Sequence, residues 1–297
     1  MVQCGRDVTP HELDQIRETV ALFRRLSRTE LAKTICEHLE WYTASGGYKT
    51  DACMNLLEKL EDQGAIKLPE KDKNLTKKRV WKPIDLTDRT NPGPLLTGTL
   101  EDVAPVELEV VTEEEMDLWK EYVSRYHYLK YQKPFGCPMY YFVKSRKGVL
   151  GCVLFSGAAR AMRFRDDWIG WKPGHRLRNL GWITNNTRFL ILPWVRIRFL
   201  ASHVLGRIRR RIGKDFQDRW GYTPVLMETF VDPKRYSGIS YKAANWDYIG
   251  MTTGEGLPRK GKVYSSTPKM IFVQPVVKDF RERLCSDNLV RAETEWG

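Results

Sequence analysis

The most informative pattern of hydrophobic and polar positions lies between residues 185 and 250. Arg188–Trp194 is a continuous apolar run, which predicts a strand buried on both faces. Arg198–Ile212 carries its apolar residues on one broad stripe, as an amphipathic helix does. A second apolar run, Pro224–Val231, predicts another strand, and the small and aromatic residues of Tyr236–Tyr248 predict a short helix. We therefore expect the order strand, helix, strand, helix here.

Three short amphipathic helices are predicted before residue 70. Capping boxes at Thr9 and Ser27 begin the first two. Thr50–Asp62 is the third helix, and a β-like tail follows at Ala65–Leu68. This order predicts a winged helix-turn-helix over residues 8–69, with Thr50–Asp62 contacting DNA. The alternative is a small helical module for dimerisation or docking.

Charge is unevenly distributed along the chain. Residues 1–70 hold nine Lys/Arg and twelve Asp/Glu, a net charge of −3, whereas the whole chain carries +12. The remainder therefore carries 12 − (−3) = +15, which favours a polyanionic partner such as DNA. The first seventy residues offer few cations for DNA, among them Lys49, Lys59 and Lys67.

Residues 71–105 are predicted to be a linker between a module of residues 1–70 and a core domain of residues 106–297. The segment is rich in Lys, Arg and Pro and buries too little apolar surface to fold independently. It is either a solvated tether or an arm that contacts phosphates through Lys77, Lys78 and Arg79.

The core domain is predicted to combine helices with a mixed sheet, so the fold class is α+β. Val106–Val111 alternates as a strand does, and a capping box at Thr112 begins a helix that runs towards Tyr128. Met139–Val143 and Val149–Phe155 are expected to form a hairpin. Lys269–Gln274 is the final predicted strand.

Composition narrows the class of protein. A hydrophobic content of 42% predicts a folded globular chain, and no apolar run reaches membrane-spanning length. No signal-peptide pattern is present, so we expect a cytoplasmic protein with no membrane partner. The six cysteines are scattered without a CxxC pair, which favours buried reduced thiols over disulfides or zinc.

A cluster of basic residues gives the clearest functional signal. Like charges four residues apart repel each other on a helix, so such a cluster suggests a polyanion that offsets the repulsion. The alternative is a solvated helical face. The predicted nucleic-acid contacts are Arg196, Arg198, Arg207, Arg209, Arg210, Arg211 and Lys214.

Carboxylates mark the candidate catalytic site. Glu228 and Asp232 fall on the same face of one predicted strand, where they could act as a general base or bind a divalent metal. The alternative is that Glu228 forms a buried ion pair with an arginine such as Arg188, while Asp232 caps a turn. We expect Asp166 to converge with these two acids.

Three polar or aromatic residues complete the candidate site. Tyr241 and Asn245 are expected beside the converging acids. His127 could shuttle a proton, although an isolated histidine is equally suited to a structural hydrogen bond.

Several longer motifs resemble one protein family. The chain contains "YHYL" from Tyr126, "FRDDWIGW" from Phe164, "NNTRFLILPWV" from Asn185, "ETFVDP" from Glu228 and "YKAANWDYIGMTTG" from Tyr241. These motifs resemble the DruA family, which is named for the Druantia anti-phage system and whose members also occur near transposase genes. The predicted order of elements also resembles the GNAT acetyltransferase architecture.

The resemblance leaves three functions open. The first is a DNA-binding protein of phage defence or mobile elements that modifies or cleaves DNA. The second is a non-catalytic DNA-binding adaptor that recruits a helicase or transposase. The third is an acyltransferase, but acetyl-CoA would need a glycine-rich turn for its pyrophosphate. The corresponding stretch, Pro193–Ser202, contains no glycine, which argues against that cofactor.

Overall fold

The computed structural model describes residues 2–3, 5–23, 26–70, 84–159, 162–254 and 267–286. They form two compact units. Unit 1 draws its described residues from Met1–Lys82, Lys172–Asn179 and Ser286–Gly297, and unit 2 draws them from Pro83–Trp171 and Leu180–Cys285. The predicted boundary near residue 70 therefore misses a segment, residues 172–179, that belongs with the N-terminal helices.

Unit 1 is a small helical unit with its own apolar core. Leu31, Leu56 and Leu57 are fully buried at its centre. Its elements are β1 (Val2–Gln3), β2 (Arg6–Asp7), α1 (Pro10–Leu22), α2 (Arg28–His38), α3 (Thr50–Asp62) and α6 (Pro173–Asn179).

The starts of α1 and α2 match the sequence prediction. In each capping box the Thr9 or Ser27 side chain accepts the backbone N–H of the third helical residue, whose Glu side chain accepts the cap's own N–H. The predicted wing differs, because Ala65–Leu68 forms no strand among the described residues of unit 1. The winged helix is therefore not confirmed.

Unit 2 is built on a large sheet. Its strands are β3 (Leu96–Gly98), β4 (Glu107–Val110), β5 (Met139–Ser145), β6 (Gly148–Gly157), β7 (Ile183–Ile191), β8 (Val195–Ile197), β9 (Leu226–Val231), β10 (Asp247–Met251) and β11 (Met270–Pro275). Its helices are α4 (Met116–Tyr126), α5 (Arg163–Ile169), α7 (Leu200–Trp220), α8 (Ile239–Ala243) and α9 (Phe280–Leu284).

Seven strands form one mixed sheet in the order β10-β11-β9-β7-β6-β5-β4. Every neighbouring pair is antiparallel except β7 and β9, which run parallel. A second, parallel pair joins β3 to β8. The mixed α/β core with a mixed sheet, expected from the sequence, is confirmed.

The two faces of the sheet are covered by different helices. On β5, the Tyr141 hydroxyl donates to Asp215 of α7 at 2.8 Å. Its neighbour Tyr140 points the other way and meets Trp119 of α4, with ring centroids 4.9 Å apart. Successive side chains of a strand alternate between faces, so α7 and α4 lie on opposite sides.

Residues 84–105 belong to the fold of unit 2, which corrects the predicted linker. The Thr90 hydroxyl is buried and donates to the Glu121 carboxylate of α4 at 2.6 Å, and the Thr87 hydroxyl donates to the same group at 3.0 Å. A buried carboxylate needs such donors, so Glu121 holds the segment in place. Farther along, Val103 is fully buried.

Several element boundaries also differ from the prediction. β7 ends at Ile191 instead of Trp194, whereas α7 continues to Trp220. The helix predicted over Tyr236–Tyr248 is the five-residue α8, and the residues from Asp247 onward form β10. Lys77, Lys78 and Arg79 lie outside the described residues.

Candidate functional site

A cleft opens where β7 and β9 diverge. The two strands pair only from Ile183 to Asn186 and from Leu226 to Thr229, although both continue beyond. Next to this point the pairing of β7 with β6 is irregular, because Leu154 faces Arg188 and Phe155 faces Asn186, which leaves Thr187 bulged out. Such a bulge bends a strand and ends regular pairing. The resulting cavity measures about 420 Å³.

Aromatic rings line much of this cleft. His127 stacks on Tyr128 with centroids 4.9 Å apart, and Tyr128 meets Tyr236 at 6.1 Å. On the wall formed by β7, Phe189 packs against Tyr241 of α8 at 6.1 Å. Tyr241 and His127 were predicted as site residues, but Tyr236 and Phe189 were not, because the cleft is formed by residues far apart in the chain.

The floor of the cleft is a fixed hydrogen-bond network. The Tyr241 hydroxyl donates to Asn186 Oδ1 at 2.7 Å, and Asn186 Nδ2 donates to the carbonyls of Leu154 and Arg188 at 3.0 Å each. The Thr229 hydroxyl donates to the Asn186 carbonyl at 2.9 Å. Burial raises the pKa of Tyr241, so its hydroxyl stays protonated and acts as a donor.

His127 is held as a neutral ring at the cleft. Its Nδ1 accepts the Leu129 backbone N–H at 3.2 Å. Burial lowers the pKa of His127 to about 4, and the Arg188 charge adds to this effect. The neutral ring has one proton, and since Nδ1 is the acceptor, Nε2 carries it.

Asp232 lies at the rim, beyond the end of β9. Its Oδ1 accepts the Lys234 N–H at 3.0 Å, and its Oδ2 lies 3.9 Å from Arg235 Nε. The Arg235 guanidinium sits over the Tyr128 ring, 4.8 Å from its centroid. Asp232 thus caps the turn that carries Arg235 and Tyr236 to the cleft.

Glu228 lies on the opposite face of the sheet from the cleft. It pairs across the strands with Asn185, whereas Thr229 pairs with Asn186 beneath Tyr241. Its two oxygens accept the Ala159 N–H at 2.7 Å and Arg165 Nη1 at 2.8 Å. Neither Glu228 nor Arg165 is exposed to solvent.

Asp166 joins this ion pair and not the cleft, because its Oδ1 accepts Arg165 Nη2 at 2.8 Å. Burial raises the pKa of Glu228, and the Arg165 guanidinium opposes that rise. The predicted convergence of Asp166, Glu228 and Asp232 is therefore wrong, since α5 inserts an arginine on one sheet face and Asp232 turns to the other. The arginine proposed as partner, Arg188, instead donates to the Lys130 carbonyl at 2.8 Å.

Asn245 has a backbone function. Its φ of 60° is in the left-handed region, where asparagine is tolerated, and it ends α8. The Gln274 amide is oriented so that its nitrogen donates to the Asn245 carbonyl. Its oxygen then accepts a hydrogen bond from Arg209 Nε at 3.1 Å. The Asn245 side chain itself is exposed.

No three His, Cys, Asp or Glu side chains within the described ranges are grouped so that they could bind a metal ion. The divalent metal considered for Glu228 and Asp232 would need both carboxylates at one point. The structure places them on different faces, so these residues do not fit that role.

The basic residues of α7 fall on three different sides of the helix. Arg211 faces β4 and β5: its Nε contacts Asp215 at 2.6 Å, and its guanidinium lies 5.6 Å from the Tyr141 ring centroid. Arg209 faces Gln274. Arg207, Arg210 and Lys214 follow at spacings of three and four, so they lie along one line.

This line, which we call the α7 stripe, lies outside the side that packs on the sheet: Arg210 and Lys214 are exposed, and Arg207 is half-buried. The fully buried Val204, Ile208 and Ile212 occupy the side that packs on the sheet. No acid forms an ion pair with any of the three stripe residues in the part of the chain that the structure describes. Before the helix, Arg196 of β8 and Arg198 are also exposed.

Backbone groups in the segment before α7 are engaged in strand pairing. β8 lies between β7 and α7 and pairs with β3, and the Arg198 N–H donates to the Gly98 carbonyl at 3.0 Å. Phe199 then adopts a left-handed φ of 61° and leaves 71% of its surface exposed. The stretch without glycine thus forms a strand and a bulky turn.

A family model for Druantia protein DruA matches residues 59–265, more than half of the chain. The chain belongs to the DruA family. Most of the described residues of unit 2, including the cleft and α7, fall within the matched range of this DruA-family chain. No curated protein matches the sequence.

Several solved acetyltransferases share a remote likeness with this DruA-family chain. An aminoglycoside acetyltransferase AAC(6')-Ib, solved with coenzyme A and kanamycin, is 14% identical, with a TM-score of 0.37 over 61% of this chain and 99% of the other. A spermidine N-acetyltransferase from Vibrio cholerae is 8% identical, with a TM-score of 0.35 over 58% and 94%. An N-acetyltransferase from Staphylococcus aureus is 8% identical, with a TM-score of 0.34 over 58% and 99%. At these TM-scores the likeness carries no argument about activity.

No helix among the described residues combines the length and the apolar character that spanning a bilayer requires.

Proposed function

We propose that this DruA-family protein binds DNA in anti-phage defence or mobile-element systems, and that the α7 stripe contacts the phosphate backbone. The observation that supports this most directly is the alignment of Arg207, Arg210 and Lys214 along one line of α7, with Arg210 and Lys214 exposed and Arg207 half-buried. Like charges at these spacings repel each other, and a polyanion would offset that repulsion. The charge of +15 outside the first seventy residues supports the same partner.

The stripe has a suitable length for a nucleic-acid strand. Arg207 and Lys214 are seven residues apart, which is roughly 10 Å along a helix axis, or about three nucleotide steps of one strand. Arg196 and Arg198 would extend the contact beyond the N-terminus of α7. We assign Arg211 and Arg209 to the fold, because Asp215 and Gln274 already engage them.

The test compares neighbouring residues of α7. Fluorescence anisotropy with a labelled duplex, over a series of salt concentrations, gives the affinity and its salt slope. The variant Arg207→Ala/Arg210→Ala/Lys214→Ala should bind weakly, with a slope smaller by about 2.7, since each lost phosphate contact contributes about 0.9. Arg210→Ala alone should lower the slope by about 0.9.

The matched control is Arg211→Ala, which removes the same charge from the adjacent position. It should retain the wild-type salt slope. If the triple variant bound DNA as the wild type does, or if the wild type bound with no salt dependence, the proposal would be wrong.

Membership of the DruA family supports a role in anti-phage defence or mobile elements. If the protein is a non-catalytic DNA-binding adaptor, its partner would be a helicase, a transposase or another defence protein.

An acyltransferase activity is the second candidate. The diverging parallel strands β7 and β9 favour it, because they open a cavity of about 420 Å³, a size that a small-molecule ligand can occupy. The turn into α7 argues against it. An acetyl-CoA pyrophosphate would need free backbone N–H groups there, and the pairing of β8 with β3 already engages backbone groups. Calorimetry with acetyl-CoA tests it, and absence of heat would exclude that donor.

A further inference from the structure

Two exposed apolar side chains, one of them aromatic, lie at the rim of the cleft. Tyr236 leaves 56% of its surface exposed, and Ile239, three residues on, leaves 69% exposed. Both residues line the cleft. The Tyr236 ring contacts Tyr128 at a tilt of 55°, so its face is not covered by a parallel ring there. Exposed apolar groups that surround a cavity are typical of a ligand site.

The cavity has the size and polarity of a site for a small planar group. Its volume of about 420 Å³ lies within the range of known ligand pockets, roughly 300–1,000 Å³. Charge is balanced at the rim, where Asp232 lies near Arg235. The His127 ring is neutral, and its Nε2–H remains as a donor beside the apolar wall that Phe189 and Leu190 form.

We propose that this cleft binds the base of an unpaired nucleotide, by stacking on the exposed face of Tyr236. Every base has an aromatic face and an edge of donors and acceptors, which matches the exposed Tyr236 ring combined with the His127 Nε2–H donor. A paired base cannot enter a cleft between two strands, so the nucleotide must be single-stranded or turned out of its duplex. This inference rests on the proposed DNA-binding function.

The position of the cleft relative to α7 supports a continuous site within unit 2. Ala201, in the first turn of α7, is part of the cleft wall. Arg207 follows six residues later, roughly 9 Å along the helix axis. A strand whose base lies in the cleft would therefore place neighbouring phosphates near the start of the α7 stripe.

The experiment distinguishes binding through the bases from binding through the phosphates. The full chain is titrated with a labelled oligothymidylate and with an abasic deoxyribose-phosphate oligomer of equal length and charge. The wild type should prefer the base-containing oligomer at least about fivefold, the lower end of what stacking on aromatic side chains contributes. Tyr236→Ala and Tyr236→Leu should remove the preference and leave the salt slope unchanged.

The control is Tyr248→Ala. Tyr248 is 48% exposed on β10 and is not part of the cleft wall. This variant should keep the wild-type preference. A preference that survives in both Tyr236 variants would place base recognition elsewhere and overturn the inference.

A second measurement distinguishes failure of the cleft from failure of DNA binding. Saturation-transfer NMR with thymidine and adenosine tests the cleft without phosphates. If the oligomers bind equally with and without bases, the cleft inference is wrong and the proposed function stands. A different result would be that a nucleoside binds, that Tyr236→Ala abolishes this nucleoside binding, and that no oligomer or duplex binds. In that case the proposed function is wrong and the cleft inference stands. If nucleosides, oligomers and duplex all fail to bind, both are wrong; if only the duplex binds, the cleft inference is wrong and the proposed function stands.

Discussion

At the scale of single residues, Glu228 and Arg165 have the strongest mutual dependence. Both side chains are fully buried, and their charged atoms lie 2.8 Å apart. Arg165 also donates to the Ala159 carbonyl at 2.7 Å, so the pair holds the connection between β6 and α5. A buried charge whose partner is removed keeps its desolvation cost and loses the attraction that offsets it.

We therefore predict that Glu228→Gln destabilises the protein. The free energy of unfolding should fall by about 3 kcal/mol, as expected for breaking one side of a buried ion pair. Asp167→Asn is the control, because Asp167 pairs with Arg163 at 3.6 Å on the surface. That variant should change stability by less than about 0.5 kcal/mol. Urea denaturation measures both, and equal stabilities would contradict the assignment of Glu228 to the fold.

His127 should make stability depend on pH. Its pKa is about 4 in the folded chain, against 6.5 for an ordinary histidine. As pH falls below 6.5, the unfolded chain gains a proton that the folded chain does not take up until about pH 4, so stability falls over this window. Between pH 7 and pH 5 the loss from this site is about 2 kcal/mol.

His127→Asn should remove that contribution, while its side-chain oxygen can still accept the Leu129 N–H. Urea denaturation at both pH values measures the difference. If wild type and variant lose equal stability on acidification, the histidine does not have the lowered pKa that its burial implies.

For Glu228 and Asp232, neither the shared face nor the contacting groups could be predicted. The spacing of the two acids predicted a shared face, which is wrong because Asp232 lies beyond the end of the strand. The sequence could not decide which arginine pairs with Glu228, because Arg165 of α5 lies sixty-three positions earlier in the chain. The predicted strand end at Val231 is confirmed, but the sequence did not indicate that the chain turns there and carries Asp232 to the cleft.

At the scale of elements, local signals predicted local structure well. The capping boxes that begin α1 and α2 depend on residues three positions apart, so the sequence contains the whole interaction. β8 was missed because it has three residues and forms only by pairing with the distant β3. Residues 84–105 were assigned to a linker for the same reason, since Glu121 of α4 supplies the acceptor that orders them.

Ser27→Ala tests the contribution of one cap. The Ser27 hydroxyl accepts the Glu30 N–H at 3.2 Å, and Glu30 accepts the Ser27 N–H at 3.1 Å. Loss of the cap should lower the free energy of unfolding by about 1 kcal/mol. Thr34→Ala, within the same helix, should be neutral or slightly stabilising, because alanine has the higher helix propensity. A Ser27 variant as stable as the wild type would show that the cap contributes nothing here.

At the scale of the whole molecule, the distribution of charge distinguishes two candidate DNA-binding helices. The sequence left open that α3 contacts DNA as part of a winged helix. Its exposed residues are mostly acidic or neutral, namely Asp51, Asn55, Lys59 and Asp62. Lys59 already donates to Gln3 Oε1 at 2.9 Å. The α7 stripe has three cations and a strongly basic surrounding chain, so electrostatics favours α7.

The last prediction compares these two surfaces directly. Lys49→Ala/Lys59→Ala/Lys67→Ala removes three positive charges from the N-terminal unit, the same number that the triple α7 substitution removes. Because residues 1–70 carry a net charge of −3, they add little attraction for phosphate, and this variant should bind DNA with the wild-type affinity and salt slope. The α7 variant should lose about 2.7 from the slope. Anisotropy titrations of both variants side by side measure the contrast. If the N-terminal variant lost the salt dependence and the α7 variant kept it, the N-terminal helices would be the DNA-binding surface and the α7 stripe a solvated helix face.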